Sequence, residues 1–401
     1  MKEITIVEPV LVSTFKCSGS ACRNHCCQGW NIVLDKSTIN RYLKSSDREI
    51  RSIASENIVI TKGNYSRWGK IKLESGRACA YMDSVGLCKI HAKLGAKALS
   101  KTCMTYPRLQ QVYRYELYKS LTLSCPEAAK ILLTNPDAML LGYSTTLAPE
   151  GNNNVDYSPE DKLINFMCMN IIKASKARSE EGLYGLATLF VHLEKMRNNK
   201  TFSVPALEEA YTEVIESLEQ GVIRENLAAI KPNHDLQWAL LMRLRTTFLK
   251  LREHRTLKVL NSFIDKLSAL QIMSASAGDT SLAIQRLDVA WRDKVEPWLA
   301  DRPYLMSNYL QYRIYTDNFY DFGDRSPLNC LYLLTAEWYL LKALMCASVE
   351  VNDGITEEDI IDLFYSYHAI TKHSTSAMTA FFTKIDKVKV HDDLSLIFLL
   401  K

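Results

Sequence analysis

Most of the usual catalytic signatures are missing from this chain. There is no G-x-G-x-x-G, no G-x4-G-K-[ST], no H-E-x-x-H and no G-x-S-x-G. Their absence argues against a Rossmann-type nucleotide site, a P-loop, a zincin protease and a serine-nucleophile hydrolase. An excess of one charge is also missing: 49 basic and 45 acidic residues give a formal net charge of +4, and the two kinds interleave. That is the pattern of a solvated surface, so no nucleic-acid partner is expected. The N-terminus has no apolar run, because Glu3 and Glu8 interrupt it, and no secretory signal is expected. The greasiest stretch, Leu331 to Ala347, contains Glu337 and Lys342 and is short for a bilayer span. The expectation is a cytoplasmic protein without a membrane segment, whose thiols stay reduced.

Sulfur is scarce in most of the chain and crowded in one part of it. Eight of the 11 cysteines lie in the first third: Cys17, Cys22, Cys26, Cys27, Cys79, Cys88, Cys103 and Cys125. The first four form a C-x4-C-x3-C-C run. Cys168, Cys330 and Cys346 stand alone on apolar faces and read as buried small hydrophobes. In a reducing compartment a crowd of cysteines reads as a metal site rather than as disulfides.

At 401 residues two domains are expected. Residues 1–142 read as a small α+β cysteine-rich metal-binding domain. Within it, strands are expected near 3–7, 30–34 and 71–73, with helices after Asp35 and over 47–56. Cys79 to Cys88 reads as a hairpin turning near Asp83–Gly86. A helix is expected over Lys89–Ser100, ending before Cys103. A strand pair over 112–123 then leads to a helix capped by Ser124. All eight cysteines thus fall in loops or at element ends. Residues 142–156, with Gly151-Asn-Asn-Asn154, read as a linker. Ser158-Pro-Glu-Asp161 is a strong helix start, and from 155 to 401 periodicity predicts an all-α domain. Its helices include 205–219, 256–273, 280–298, 301–318, 328–348, 356–370 and 374–386. The tyrosines from Tyr304 to Tyr315, with Phe319, Tyr320 and Phe322, read as the core face of an amphipathic helix rather than a binding surface. The fold class is therefore mainly α.

Three chemistries compete for the eight thiols. Zinc takes four ligands, usually from paired C-x2-4-C knuckles; the chain has no C-x2-C pair and the adjacent Cys26-Cys27 fits a single zinc site awkwardly, although two ions sharing eight thiolates fit. An iron–sulfur cluster takes thiolates from dispersed loops, and Lys16, Arg23, Arg77, Lys89 and Arg108 lie near enough in sequence to offset its charge. Redox thiol chemistry needs only one or two cysteines. His25 and His91 are the histidines placed among the cysteines.

The segment Cys17-Ser-Gly-Ser-Ala-Cys-Arg-Asn-His-Cys-Cys-Gln-Gly-Trp30 resembles the opening of the flagellin lysine N-methylases (FliB) of enteric bacteria. So do Met1-Lys-Glu-Ile-Thr-Ile6, Leu94-Gly-Ala-Lys-Ala-Leu-Ser100, Cys125-Pro-Glu127, Tyr365-Ser-Tyr-His368 and Asp392-Asp-Leu-Ser395. The likeness covers essentially the whole chain. The N-terminal part alone is also similar to the YkgJ-type cysteine-cluster proteins, a wider group of zinc or iron chelators. The resemblance implies methyl transfer from S-adenosylmethionine to surface lysines of flagellin, with a [4Fe–4S] cluster on the cysteines. Polar transfer to an amine requires the lysine to lose its proton; Tyr81, Asp83, Tyr106 and Glu127 lie near the cysteines and are candidates for assisting, although a structural role is the stronger reading of each. The spacing Cys22-x3-Cys26-Cys27 departs from the C-x3-C-x2-C of radical S-adenosylmethionine enzymes, and the strand–helix alternation of their barrel is absent. Radical and polar transfer both stay open. The alternative is a metal-stabilised binding protein for flagellin or another secreted substrate, without catalysis.

Overall fold

In a computed structural model of the chain, all residues are described except 30–31, 74–77, 149–155, 249–255, 280, 318–324 and 372–374. The first strand, β1 (Lys2–Pro9), leads into one helical turn, α1 (Val10–Ser13). After the first cysteines come β2 (Val33–Leu34), α2 (Lys36–Leu43), α3 (Arg48–Asn57), β3 (Ile58–Ile60) and β4 (Gly69–Ile71). Helices α2 and α3 begin where the side chains of Asp35 and Asp47 accept amide hydrogens from Thr38 and Ile50. Two short helices, α4 (Lys89–Leu94) and α5 (Lys101–Thr105), precede β5 (Arg108–Val112), β6 (Glu116–Leu121), α6 (Pro126–Thr134) and β7 (Leu141–Ala148).

The strands make two sheets. One is small, in the order β2–β4–β3. The other runs β5–β6–β1–β7, with β1 parallel to β6 and antiparallel to β7 from Lys2↔Ala148 to Pro9↔Leu141. Residues 142–148, expected as linker, are therefore strand. Their polarity is that of an edge, and Tyr143, Thr145 and Thr146 are good strand formers. Gly151–Asn154 lie outside the described residues.

Among the described residues twelve helices follow: α7 (Pro159–Ser175), α8 (Ser179–Asn198), α9 (Val204–Glu219), α10 (Val222–Ala229), α11 (His234–Phe248), α12 (Leu257–Ser276), α13 (Ser281–Ala290), α14 (Glu296–Ala300), α15 (Leu305–Thr316), α16 (Pro327–Asn352), α17 (Glu357–Thr371) and α18 (Thr375–Asp386). A π-helical turn, Trp291–Val295, joins α13 to α14. Ser158 caps α7 by accepting from the Asp161 amide at 3.1 Å, as its sequence predicts. No strand follows Ala148 among the described residues.

The hydrophobic core does not divide at the expected boundary. One continuous core joins Val7, Leu11, Leu121 and Leu132 of the N-terminal sheet and α6 to every helix from α7 to α18. A separate core of eleven buried residues, among them Ile32, Ile39, Tyr42, Ile50, Tyr81 and Ile90, belongs to the segment between β2 and α5. The molecule is thus a large helical body carrying the β5–β6–β1–β7 sheet, with a small cysteine module docked on it. Helix α16 is long and apolar enough to cross a membrane, but its apolar window is wholly buried inside the body. Helix α15 is buried on every face rather than amphipathic. Its tyrosines spend their hydroxyls inside: Tyr312 donates to Leu121 O at 2.8 Å, and Tyr315 to Val7 O at 2.9 Å. Phe319, Tyr320 and Phe322 lie outside the described residues. Cys168, Cys330 and Cys346 are buried in the body, as expected.

Candidate functional site

Two constellations flank α5. The first is sulfur. The loop from Cys17 to Cys27 has a single 3-10 turn, Gly19–Ala21, and is tied down at both ends. The Cys79 amide donates to Cys27 O at 2.8 Å, and Arg23 reaches α17 to pair with Asp362 at 2.8 Å and with Glu358. The hairpin expected between Cys79 and Cys88 is present, with Met82 bridged to Cys88. Asp83 holds its turn by accepting the amides of Val85 at 3.0 Å and Leu87 at 2.8 Å. Gly86 sits at φ +81°, and a Cβ there would strike the His25 ring, so this turn needs glycine.

Two local expectations differ from what forms. The helix expected to run to Ser100 breaks at Gly95, whose φ is +81°. Cys103 is then not in a loop but inside α5, where Ser100 caps the helix by accepting the Cys103 amide at 3.2 Å. The cap position of α6 is Cys125, not Ser124, whose hydroxyl instead lies 3.1 Å from Tyr106 Oη.

The eight thiols gather in two adjoining groups. Cys27 feels the charges of Cys26, Cys79 and Cys88, while Cys103 feels those of Cys88 and Cys26. Cys125 feels Cys22 and Cys17, and Cys22 also feels Cys26, which makes the groups neighbours. A hydrogen bond from Cys26, followed by burial, pushes the Cys27 thiol far up. Burial pushes Cys103 up to about 11 and Cys125 to about 12, and it raises Cys88. The amides of His91 and Ile90 at Cys88, and of Ala128 and Glu127 at Cys125, pull the other way without closing a full cap. Half-buried thiols crowded like this stay neutral unless a cation compensates them. None of the 11 cysteines is in a disulfide. Among the described residues no three Cys, His, Asp or Glu side chains stand close enough to hold a metal ion as they are. The donor set itself is the one that iron–sulfur clusters and thiolate zinc sites take.

The other candidates near the cysteines have structural partners. Tyr81 is buried edge-on to Tyr42, with ring centroids 5.6 Å apart. Lys89 pairs with Glu49 at 2.8 Å, and the Arg108 guanidinium lies 5.3 Å from the Phe15 ring centroid. Lys16 and His91 are exposed, and Arg77 lies outside the described residues.

The second constellation is a cleft of about 910 Å³ between the module and the body. Lys101, Thr102 and Thr105 of α5 line it, at positions that share one helical face. Cys103 takes the opposite face, toward the other thiols. Asp35, Tyr65 and Arg67 add to the module side. Arg108 and Leu109 come from β5, and Tyr312, Asp317 and His368 come from the body.

Behind His368 and Asp317 lies a buried charged network. Arg313 donates to Asp317 Oδ2 through Nε at 2.8 Å and through a second nitrogen at 2.5 Å, and it also pairs with Glu337. Burial is the largest influence and works against the Arg313 charge, but the Asp317 carboxylate together with Tyr309 and Tyr367 outweighs it. Glu337 further accepts the Tyr309 hydroxyl at 2.6 Å and the Tyr367 hydroxyl at 2.9 Å. Tyr309 Oη lies 3.1 Å from His368 Nε2. Since Tyr309 has one proton and gives it to Glu337, His368 stands as the Nε2–H donor. A cavity of about 30 Å³, roomy enough for a water, lies on the other side of Asp317 against Arg313 and Glu337. Sequence reasoning missed this wall. Its one signal was Tyr365-Ser-Tyr-His368, a polar run inside an apolar helix.

A family profile described as the FliB lysine N-methylase C-terminal domain matches residues 165–399. The chain is also 34% identical, over all of both sequences, to a protein named Lysine-N-methylase from Salmonella typhimurium. The chain belongs to the FliB lysine N-methylase family. A second protein of that name, from Salmonella choleraesuis, is likewise 34% identical over the full length of both. The flagellar biosynthetic protein FliU of Salmonella muenchen is 52% identical over 143 residues, which is 35% of this chain and 85% of FliU. No solved structure matches. The FliB C-terminal profile spans Tyr309, Asp317, Glu337 and His368, whereas all eight clustered cysteines lie before it.

Proposed function

We propose that this chain methylates lysine side-chain amines of flagellin, with S-adenosylmethionine as donor and a [4Fe–4S] cluster held by its N-terminal cysteines. The observation that carries the reading is the end-to-end similarity to proteins named Lysine-N-methylase. The convergence of eight thiols beside a deep cleft supports it. Cys17, Cys22, Cys26 and Cys27 are the first ligand candidates, with Cys79, Cys88, Cys103 and Cys125 in the same or a second centre. The donor would supply an electrophilic methyl group, and a cluster held by these cysteines would supply a place for it to bind. The protein's own part is to hold the acceptor lysine, which for a polar transfer must lose its proton.

Two measurements test this. Metal and acid-labile sulfide are assayed on protein purified without oxygen, and methyl transfer from labelled donor to purified flagellin is followed on the same sample. About four irons and four sulfides with lysine methylation are expected. Zinc without sulfide makes the module a structural site. No methylation by metal-replete protein sinks the enzyme reading in favour of a binding protein.

A further inference from the structure

The cysteine loop runs between the two parts of the molecule. At its start Phe15 belongs to the core of the body, and at its end Cys27 packs against the core of the module. Among the described residues between them the only regular element is the 3-10 turn Gly19–Ala21. From the middle of this loop Arg23 reaches α17. One terminal nitrogen donates to Asp362 Oδ1 at 2.8 Å, and the other pairs with Glu358. Glu358 and Asp362 stand one turn apart, so they share a face of α17 and hold the planar guanidinium between them. Neighbouring acids of α17 are engaged elsewhere. Glu357 pairs with Arg302 at 3.1 Å, and Asp359 accepts the amide and hydroxyl of Thr356.

We infer that Arg23 is a positioning residue, which clamps the cysteine loop to α17 and so carries Cys17 and Cys22 to Cys125 at the start of α6. That a metal then joins these thiols rests on the cluster reading proposed above; the clamp itself does not. Cys125 lies in the core of the body and begins α6, which packs against α17. Cys17 and Cys22 come from the loop, so a centre using all three crosses from loop to body. The charges of Cys22 and Cys17 reach Cys125 across that boundary. Arg23 follows Cys22 directly, and its clamp sits on the helix beside α6. Expected from its place among the cysteines to offset a cluster, Arg23 spends its charge on two carboxylates instead.

The same helix lines the cleft through His368. Glu358 and His368 stand about 15 Å apart along its axis, so the clamp sets the loop thiols at a fixed distance from the cleft. Arg23 and Asp362 are 31% and 36% exposed. Ion pairs this exposed add little to global stability and weaken in salt, so the effect of the clamp is local.

The test uses full-length protein purified without oxygen. Arg23→Gln removes the charge, and Arg23→Lys keeps it on one nitrogen where the clamp uses two. Glu358→Gln with Asp362→Asn empties the other side, far in sequence from the eight clustered cysteines. Iron release to a chelator, amide exchange over residues 17–27 and methyl transfer are followed, with denaturant unfolding as control. Arg23→Gln is expected to speed release and loop exchange about tenfold, the effect of two exposed pairs, with unfolding unchanged. The carboxylate variant should match it, combining all three changes should add nothing, and Arg23→Lys should fall between. Salt at about 1 M should speed release from the wild type but not from Arg23→Gln. With flagellin and labelled donor, kcat should fall while both KM values hold. Unchanged loop exchange in Arg23→Gln overturns the inference. So does an effect of Arg23→Gln that the carboxylate variant lacks, because the charge would then act on the cluster directly. If no iron or no methylation is found, that reading fails by itself, and loop exchange in the two variants decides the clamp.

Discussion

The cysteine module and the helical body solve the same problem of stability with unequal means. The body runs one core through all of its helices, and α16 contributes residues such as Trp338, Leu341 and Leu344 that are fully buried. The module has eleven core residues, two-to-three-residue strands and helices α4 and α5 of six and five residues. Isolated helices that short do not hold in water. Burial in the module is therefore supplemented by caps, by hydrogen bonds such as Tyr42 Oη to Ala98 O at 2.9 Å, and by the Arg23 tether to α17. A bound metal would be the remaining staple. A segment with so little core of its own would gain more from such a staple than the body would.

The widest separation of the two regions should come from the thiols. Cys27→Ser or Cys88→Ser is expected to remove most of the bound metal and to lower amide-exchange protection across residues 33–105 by orders of magnitude. Cys168→Ser, in the body, should leave metal content unchanged. Metal analysis with hydrogen-exchange mass spectrometry reads both, and full metal retention in Cys27→Ser and Cys88→Ser would remove them from the ligand set.

A smaller effect should come from the body. Glu337→Ala strips Arg313 of a buried partner and is expected to cost about 3–5 kcal/mol in denaturant unfolding. Loss of less than about 1 kcal/mol would mean that water already compensates the network.

The smallest effect concerns a module cap. Burial would raise the Asp35 carboxyl, but hydrogen bonds from Ser37 and Thr38 outweigh it and hold it at about 2. A carboxylate with a depressed pKa stabilises the fold above its unfolded value of about 4, and that contribution is lost as pH falls from there toward 2. Asp35→Ala should therefore destabilise α2 by about 1 kcal/mol at neutral pH and flatten this part of the acid-unfolding curve. An unchanged curve would show that the cap contributes nothing.

Much of the body was readable because periodicity is a local property. The helix expected over 205–219 is α9 (Val204–Glu219), and those expected over 356–370 and 374–386 are α17 and α18. Helices buried on all faces carry no such stripe, so α15 was recognised as a helix but not as one enclosed on every side. Strand β7 was missed because its partner, β1, lies more than a hundred residues away and an edge strand looks polar. Cys103 was misplaced because a glycine at φ +81° ended one helix and Ser100 began another within six residues.

The sequence by itself determined the crowding of eight thiols, the helical character of the described residues between 159 and 386 and the family, all carried by residue type and local spacing. Only the tertiary structure decided that the N-terminal sheet belongs to the helical core, which thiols face one another, and that Asp317 and His368 meet α5 across a cleft. Those outcomes depend on contacts between segments up to three hundred residues apart, where packing and buried charge act and local spacing has no reach.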